Sequence, residues 1–314
     1  MSRARLAFLG GLILLVANLS LTGAAHADAT PVRIGYQKYG SLVLLKATGA
    51  VDRRLAALGY RVQWSEFAAG PQLLEALNVG SLDFGTAGEA PPVFAQAAGA
   101  DLVYLANQPP APTAEAIVVP KDSPIRSVAD LKGKRIALNK GSNVHYLLIK
   151  ALQSAGLQYS DIQPVFLPPA DARAAFTRGA VDAWAIWDPF LASAEKTLSA
   201  RVIVNGSGIV SNHQFFLATR TFAQQHADVV KVIIEELHAV DKWGEKNPAE
   251  VAKVLGPAVG IDAVTAQYAA ERFSFGVVLT TPKVAAEQQK VADAFAELKL
   301  IPRSIRISDA LLAP

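Results

Sequence analysis

Four short segments carry residues whose types and spacing suit the capture of a small anion. Asn139-Lys140-Gly141-Ser142-Asn143-Val144-His145 lies between a strand-like run and a helical one. Glycine lets the backbone approach a ligand, and Ser142 or Asn143 can cap the helix. Its first free N–H groups then point outward, which suits an oxyanion without a full counter-charge. The same residues also fit an ordinary capped helix start, with His145 packed one turn in. Gly85-Thr86-Ala87-Gly88-Glu89-Ala90-Pro91-Pro92 again joins a strand to a helix. Its small residues permit close approach, and its prolines suit a first helical turn. Glu89 either positions a donor or an amine, or is a capping acid.

Asp182-Ala183-Trp184-Ala185-Ile186-Trp187-Asp188-Pro189 ends a buried strand. Alternation sets Trp184 and Ile186 on one face and Ala185 and Trp187 on the other, so Trp187 is a candidate cleft wall for an apolar tail. Asp188 before Pro189 has the form of an N-cap with proline at N1, which competes with ligand contact. Tyr36-Gln37-Lys38-Tyr39 leaves the first strand where ligands meet α/β sheets. Gln37 can donate to an oxyanion there, and Lys38 is either solvated or an electrostatic partner. Catalytic constellations are missing: there is no phosphate-binding Gly-x-x-x-x-Gly-Lys-Ser/Thr loop, Gly-x-Ser-x-Gly elbow or His-Glu-x-x-His helix. His145 and His213 without a paired acid make a poor metal site, so no catalytic residue, metal or cofactor is assigned.

The elements that must position these segments alternate short apolar strands with amphipathic helices, an α/β pattern. The pattern occurs twice. Arg33-Ile34, Gly40-Ser41 and Leu44-Leu45-Lys46-Ala47 return as Arg135-Ile136, Gly141-Ser142 and Leu148-Ile149-Lys150-Ala151. Further on, Leu73-Leu74-Glu75-Ala76-Leu77 leads to Gly80-Ser81-Leu82-Asp83-Phe84, and Ala172-Arg173-Ala174-Ala175-Phe176 leads to Gly179-Ala180-Val181-Asp182-Ala183. Two similar lobes facing each other make a cleft, where small ligands bind. Ala116–Pro120 reads as a strand followed by the exit from the first lobe, and Phe215–Thr219 as the strand returning to it. Thr221 is then the expected N-cap of a long helix running to about Trp243. The boundaries follow: lobe 1 comprises 28–119 and 219–314, lobe 2 is 120–218, and a two-segment hinge permits closure.

Residues 1–27 read as a signal peptide. Arg3 and Arg5 precede an apolar run from Leu6 to about Leu21, and Ala25-His26-Ala27 supplies the small residues of a cleavage site. The arginines are not adjacent, which favours the general secretory route over a twin-arginine one. With no cysteine there is no disulfide, thiolate metal site or lipoprotein anchor, so a soluble exported protein retained in a periplasm is expected. The 30 basic residues against 27 acidic ones include the two leader arginines, so the remainder is near charge balance. With no basic run interleaved with aromatics, nucleic acid is excluded as a partner and any anion recognition must be local.

The chain resembles the periplasmic aliphatic sulfonate-binding proteins, within the nitrate/sulfonate/taurine group of ABC-importer receptors. The residues that carry the resemblance are Ile34–Lys38, Ala69–Ser81, Pro91–Asp101, Pro169–Phe176 and Trp187-Asp188-Pro189. The resemblance implies a type II periplasmic-binding fold and a sulfonate held between lobes by backbone amides and short polar side chains. It implies contacts from Gln37, the Thr86-Ala87-Gly88 turn, Ser142, Asn143 and His145, with Trp187 beside the carbon chain. It also implies delivery to an ABC permease, without catalysis and as a monomer. Two segments depart from the family pattern: Gly-Ser-Ser-Ser-His is here Gly-Ser-Asn-Val-His, and Thr-Gly-Asp-x-Pro-Pro is here Ala-Gly-Glu-Ala-Pro-Pro. Both touch the expected pocket, so taurine, nitrate, a sulfate ester or a pyrimidine precursor stay open as cargo. An enzyme on the same fold is the more distant alternative.

Overall fold

The computed structural model describes residues 29–312, and the expected signal peptide lies outside them. The chain first forms β1 (Thr30–Gln37), α1 (Ser41–Thr48), α2 (Ala50–Ala56), β2 (Tyr60–Phe67), α3 (Gly70–Asn78), β3 (Phe84–Gly88), α4 (Ala90–Ala97) and β4 (Leu102–Asn107). It then crosses into β5 (Glu115–Val119), β6 (Arg135–Leu138), α5 (Asn143–Ser154), β7 (Gln163–Phe166), α6 (Pro169–Thr177), β8 (Ala183–Trp187), α7 (Phe190–Thr197) and β9 (Arg201–Asn205). It returns through β10 (Gln214–Thr219) to α8 (Arg220–Gln225), α9 (Ala227–Lys246), α10 (Pro248–Val259), α11 (Ala263–Ala270), β11 (Val278–Leu279) and α12 (Pro282–Glu297). Among the described residues no helix is long and apolar enough to cross a membrane.

The repeated sequence pattern is a repeated topology. One sheet runs β2-β1-β3-β10-β4-β11 and the other β7-β6-β8-β5-β9. In each, the first strand pairs in parallel with the next two, and a crossing strand then enters antiparallel. The same clamp recurs as well. Arg33 N–H donates to Asp83 Oδ2 at 2.8 Å, and Arg135 N–H donates to Asp182 Oδ2 at 2.8 Å. Each arginine side chain also reaches the carbonyl of the glycine that ends the preceding helix, Gly80 or Gly179. Those glycines hold φ of 74° and 69°, the left-handed conformation a C-terminal cap demands.

The crossing strands correct the expected boundaries. Glu115–Val119 pairs antiparallel with β8 and β9, so it belongs to the second lobe and is not the last strand of the first. Gln214–Thr219 lies between β3 and β4, in the first lobe throughout. The chain therefore crosses near 108–114 and 206–213, ahead of the expected 119/120 and 218/219. A strand belongs to the sheet that satisfies its backbone bonds, and that pairing is invisible in its own composition. The crossings are tied together: Gln108 N–H donates to Gln214 O at 2.9 Å and Ala111 N–H to Ser211 O at 3.1 Å.

The helix expected from Thr221 is also different. Thr219 is the cap, its Oγ1 accepting from Phe222 N–H at 3.2 Å, and the segment breaks at His226 before α9 begins. Both faces of each sheet are buried, as a sheet covered by helices on both sides requires. Around the first sheet Ile34, Leu45, Phe84 and Phe216 pack on one face, and Leu73, Leu77, Phe215 and Phe295 on the other. Leu138, Val144 and Leu148 cover one face of the second sheet, and Phe176, Trp184 and Leu191 cover the other.

Candidate functional site

Between the lobes lies a small cavity of about 30 Å³. Lobe 1 contributes Gln37, Tyr39, Gly70, Gly88, Pro91 and Gln214; lobe 2 contributes Ser142, Asn143 and Trp187; Asn212 comes from the second crossing. None of these lining residues carries a formal charge. What the walls offer an anion is backbone polarity. Gly70 begins α3, Gly88 precedes α4, and Ser142 and Asn143 begin α5. None of the three helix starts is capped by the side chain of its own N-cap residue, so three positive dipole ends converge on one space; α3 and α5 bring free first-turn N–H groups, while α4, with prolines at 91 and 92 and its Ala90 N–H bonded to Asn143, brings its dipole end alone. A preorganised cluster of neutral donors favours a weakly basic, delocalised anion, which needs orientation more than a counter-charge.

The lobes touch at this cavity. The Asn143 side chain donates to Asn212 Oδ1 and accepts from Ala90 N–H at 3.4 Å, joining the start of α5 to the start of α4. Gly88 makes that approach possible, since a Cβ at this position would lie 2.0 Å from Asn143 Nδ2 and 2.3 Å from its Cγ. Gln37 is held in place by donating Nε2–H to Thr86 O at 2.9 Å. Ser142 donates its hydroxyl to Asn139 O at 2.7 Å, fixing the turn that presents α5.

Of the residues expected at the site, Gln37, Gly88, Ser142, Asn143 and Trp187 line the cavity, and five others stand behind it. Thr86 Oγ1 donates to Phe215 O at 3.0 Å and accepts from Gln214 at 2.6 Å, so it aims Gln214 at the cavity without lining it. Ala87 packs into the lobe 1 core. His145 is buried, accepting from Gly141 N–H at 3.2 Å through Nδ1 and meeting the Tyr159 hydroxyl at 2.9 Å through Nε2. Burial and then the nearby Lys140 push its imidazole down to about 4. It is therefore neutral, with the proton on Nε2, and braces the glycine turn. Glu89 is buried behind Gly88 and accepts from His213 N–H at 3.2 Å; burial pushes its carboxyl up to about 7, against the pull of the His213 and Asn212 amides.

Asp188 accepts from Ala192 N–H at 3.0 Å, but it also accepts from two nitrogens of a guanidinium. Arg272, just after α11, bonds its two oxygens at 2.7 Å each and Glu195 of α7 at 2.7 Å. Burial pushes the Asp188 carboxyl up to about 7 against the opposing pull of Arg272, whose two charge-assisted bonds favour the ionised form. For Arg272, burial opposes the charge, but the bonds from Asp188 and Glu195 outweigh it and hold the guanidinium further toward its protonated form. This group links lobe 2 to the C-terminal helices of lobe 1, beside an apolar contact of Ala192 with Val43, Leu255 and Ala269. Asp188 thus fastens the lobes and does not line the cavity. Lys38 pairs with Glu66 at 3.6 Å, away from the cavity.

Tyr39, Gly70, Pro91, Asn212 and Gln214 line the cavity without having been singled out by their chemistry. Tyr39, Gly70 and Pro91 fall inside or next to the runs that carry the family resemblance. Asn212 and Gln214 flank the returning strand, where a hinge residue must pass the cleft. Among the described residues no group of three or more His, Asp or Glu side chains comes together as a metal site.

Residues 59–251 match the family described as NMT1/THI5 like. An Escherichia coli K12 relative named for aliphatic sulfonate binding is 43% identical over 298 residues, covering 93% of this chain and 92% of its own. The alkanesulfonate-binding protein SsuA of Xanthomonas axonopodis pv. citri, solved bound to MOPS, superposes with a TM-score of 0.87 at 43% identity, over 91% of this chain and 99% of that one. The periplasmic aliphatic sulphonate binding protein SsuA of Escherichia coli gives 0.81 at 42% identity, over 90% and 92%. The chain belongs to the NMT1/THI5-like family, on the branch that includes the aliphatic sulfonate-binding proteins.

Proposed function

We propose that this chain is an extracytoplasmic receptor that closes on an aliphatic sulfonate and presents it, unaltered, to an ABC permease. The observation that carries the assignment is the convergence of three positive helix ends on an uncharged inter-lobe cavity with an indole on its wall. A sulfonate spreads one negative charge over three oxygens, which such N–H groups can meet together. Trp187 offers its face to the attached carbons. Relatives named for sulfonate binding, one of them solved with MOPS, whose acid group is a sulfonate, support the same cargo. Two lobes joined by two crossings supply the closing motion, and the closed form is what a permease would recognise. Export by the general secretory route, residence in a periplasm and action as a monomer complete the proposal.

Chain length tests the assignment. Binding by the wild-type chain should tighten from methanesulfonate to butanesulfonate, each buried methylene contributing up to about 0.8 kcal/mol. Trp187→Ala should flatten that series, hurting butanesulfonate more than methanesulfonate. An equal loss for both, read by titration calorimetry, would remove Trp187 from the tail wall.

A further inference from the structure

The second crossing turns on a single residue. Ile209 still packs on the core of lobe 2, whereas His213 N–H donates to Glu89 of lobe 1 at 3.2 Å and Gln108 N–H donates to Gln214 O at 2.9 Å. Between them Asn212 holds φ at 52°, the left-handed conformation that asparagine tolerates better than most side-chain-bearing residues. Its side chain is equally well placed. Asn212 Nδ2–H donates to Ala111 O of the first crossing at 2.8 Å, and Asn212 Oδ1 accepts from Asn143 Nδ2–H at the start of α5. Asn143 Oδ1 accepts in turn from Ala90 N–H at the start of α4. Two amides thus form one relay of hydrogen bonds, from the first crossing through the second to lobe 2 and on to lobe 1. Its polarity is fixed at both ends, because Ala111 O can only accept and Ala90 N–H can only donate.

We propose that Asn212 is the positioning residue that couples an occupied cavity to closure of the hinge, acting through Asn143. Both residues line the cavity, and each amide nitrogen spends one of its two N–H groups on the relay, leaving one for an anion. A bound oxyanion that takes those N–H groups strengthens the bonds behind them, since linked hydrogen bonds polarise one another. Opening of the lobes draws α5 away from α4 and breaks the relay at Asn143, while the Asn212 backbone absorbs the rotation. The proposal rests on the receptor reading above and names the residue through which capture becomes closure.

Two substitutions separate this role from simpler ones. Asn212→Gly keeps the left-handed backbone without strain and removes only the amide. Asn143 is the first residue of α5, where alanine is well tolerated, so Asn143→Ala removes the other amide and spares the helix. If the amides act as one relay, breaking it at either residue forfeits the same coupling, and the two losses do not multiply. Two independent ligand contacts would multiply theirs. Residues that merely hold the fold would lower the stability of the ligand-free chain.

The experiment is calorimetric titration of butanesulfonate into the wild-type chain, both single variants and the double variant. Small-angle scattering gives the radius of gyration of each at saturating ligand, and thermal unfolding gives the ligand-free melting temperature. Each single variant should weaken butanesulfonate by about tenfold, and the double variant should stay within about threefold of the weaker single. At saturation the variants should keep a larger radius than the wild type, with ligand-free melting temperatures within about 4 °C of it. Wild-type affinity in Asn212→Gly, a loss of about 100-fold in the double variant, or a wild-type radius at saturation would overturn the proposal. So would a larger fall in melting temperature in both single variants, which would make the amides structural. Should Asn212→Gly fail to fold, the saturated radius of Asn143→Ala still decides. Were the wild-type chain to ignore butanesulfonate, the sulfonate assignment would fail, and nitrate or sulfate, whichever it binds, would carry the same comparison.

Discussion

Replacing Arg272 by methionine is expected to destabilise the protein by about 3–5 kcal/mol, the typical cost of stranding one partner of a buried ion pair. Asp188 is fully buried and loses both its 2.7 Å bonds, and Glu195 loses one. Methionine keeps much of the apolar stem, so the loss isolates the charge more than the packing. The cost should depend on pH. Burial already holds the Asp188 carboxyl above its unfolded value of 3.8 with Arg272 beside it, and loss of the guanidinium pushes it further up, so between the two values the folded variant binds the extra proton. Stability then falls as pH rises, and the penalty is largest at pH 8 and shrinks as pH drops through the folded value. Urea unfolding at pH 8 and pH 5.5 reads this directly. A loss below about 1 kcal/mol, or one that grows as pH falls, would contradict the buried-pair account. The C-terminal helices would also lose their fastening to lobe 2, so ligand affinity should fall with it.

Replacing Gly88 by valine is expected to weaken every ligand alike, by about 100-fold or more, equivalent to about 2.7 kcal/mol. The new Cβ would occupy space held by the Asn143 amide, whose Nδ2, Oδ1 and Cγ lie 2.0, 2.1 and 2.3 Å away. Gly88 ends a strand with ordinary backbone angles, so valine obstructs the meeting of the lobes and not the folding of lobe 1. Binding energy that depends on both lobes is then lost whatever the chain attached to the sulfonate. Small-angle scattering should show a larger radius for the variant than for the wild type at saturating ligand. Gly88→Ala should lose less, because the Asn143 side chain can swing aside from one methyl. Affinity within threefold of wild type for the valine variant would mean that the closed contact is not needed for capture.

The doubled architecture was legible because its signals are local. The Arg33 and Arg135 strand residues, the Gly80 and Gly179 helix ends and the Asp83 and Asp182 acids recur in order, and they fold into matching clamps, although β1 begins at Thr30, ahead of Arg33. The lobe boundaries were not, because β5 and β10 are apolar strands of similar composition and only their pairing partners tell which sheet owns them. Thr219 displaced Thr221 as a helix cap because α8 starts at Arg220, directly after β10, so the last strand residue itself has the extended conformation of a cap and its Oγ1 takes Phe222 N–H.

At the site, alternation placed Trp187 and the glycine-serine turn placed Ser142 and Asn143, since each follows from one element. Asp188 was harder. Its spacing to Pro189 and Ala192 fits a helix start, and it does accept from Ala192, but its dominant partner is 84 residues away.

Sulfonate capture is tested most directly by calorimetric titration of the protein, unfolded and refolded to strip bound ligand, with butanesulfonate, nitrate and sulfate in parallel. The predicted result is tight one-to-one binding of butanesulfonate, with nitrate and sulfate weaker by about 100-fold or more because neither has carbons for Trp187 to cover. Silence toward butanesulfonate beside tight binding of nitrate or sulfate would contradict it, leaving a receptor fold with a different cargo.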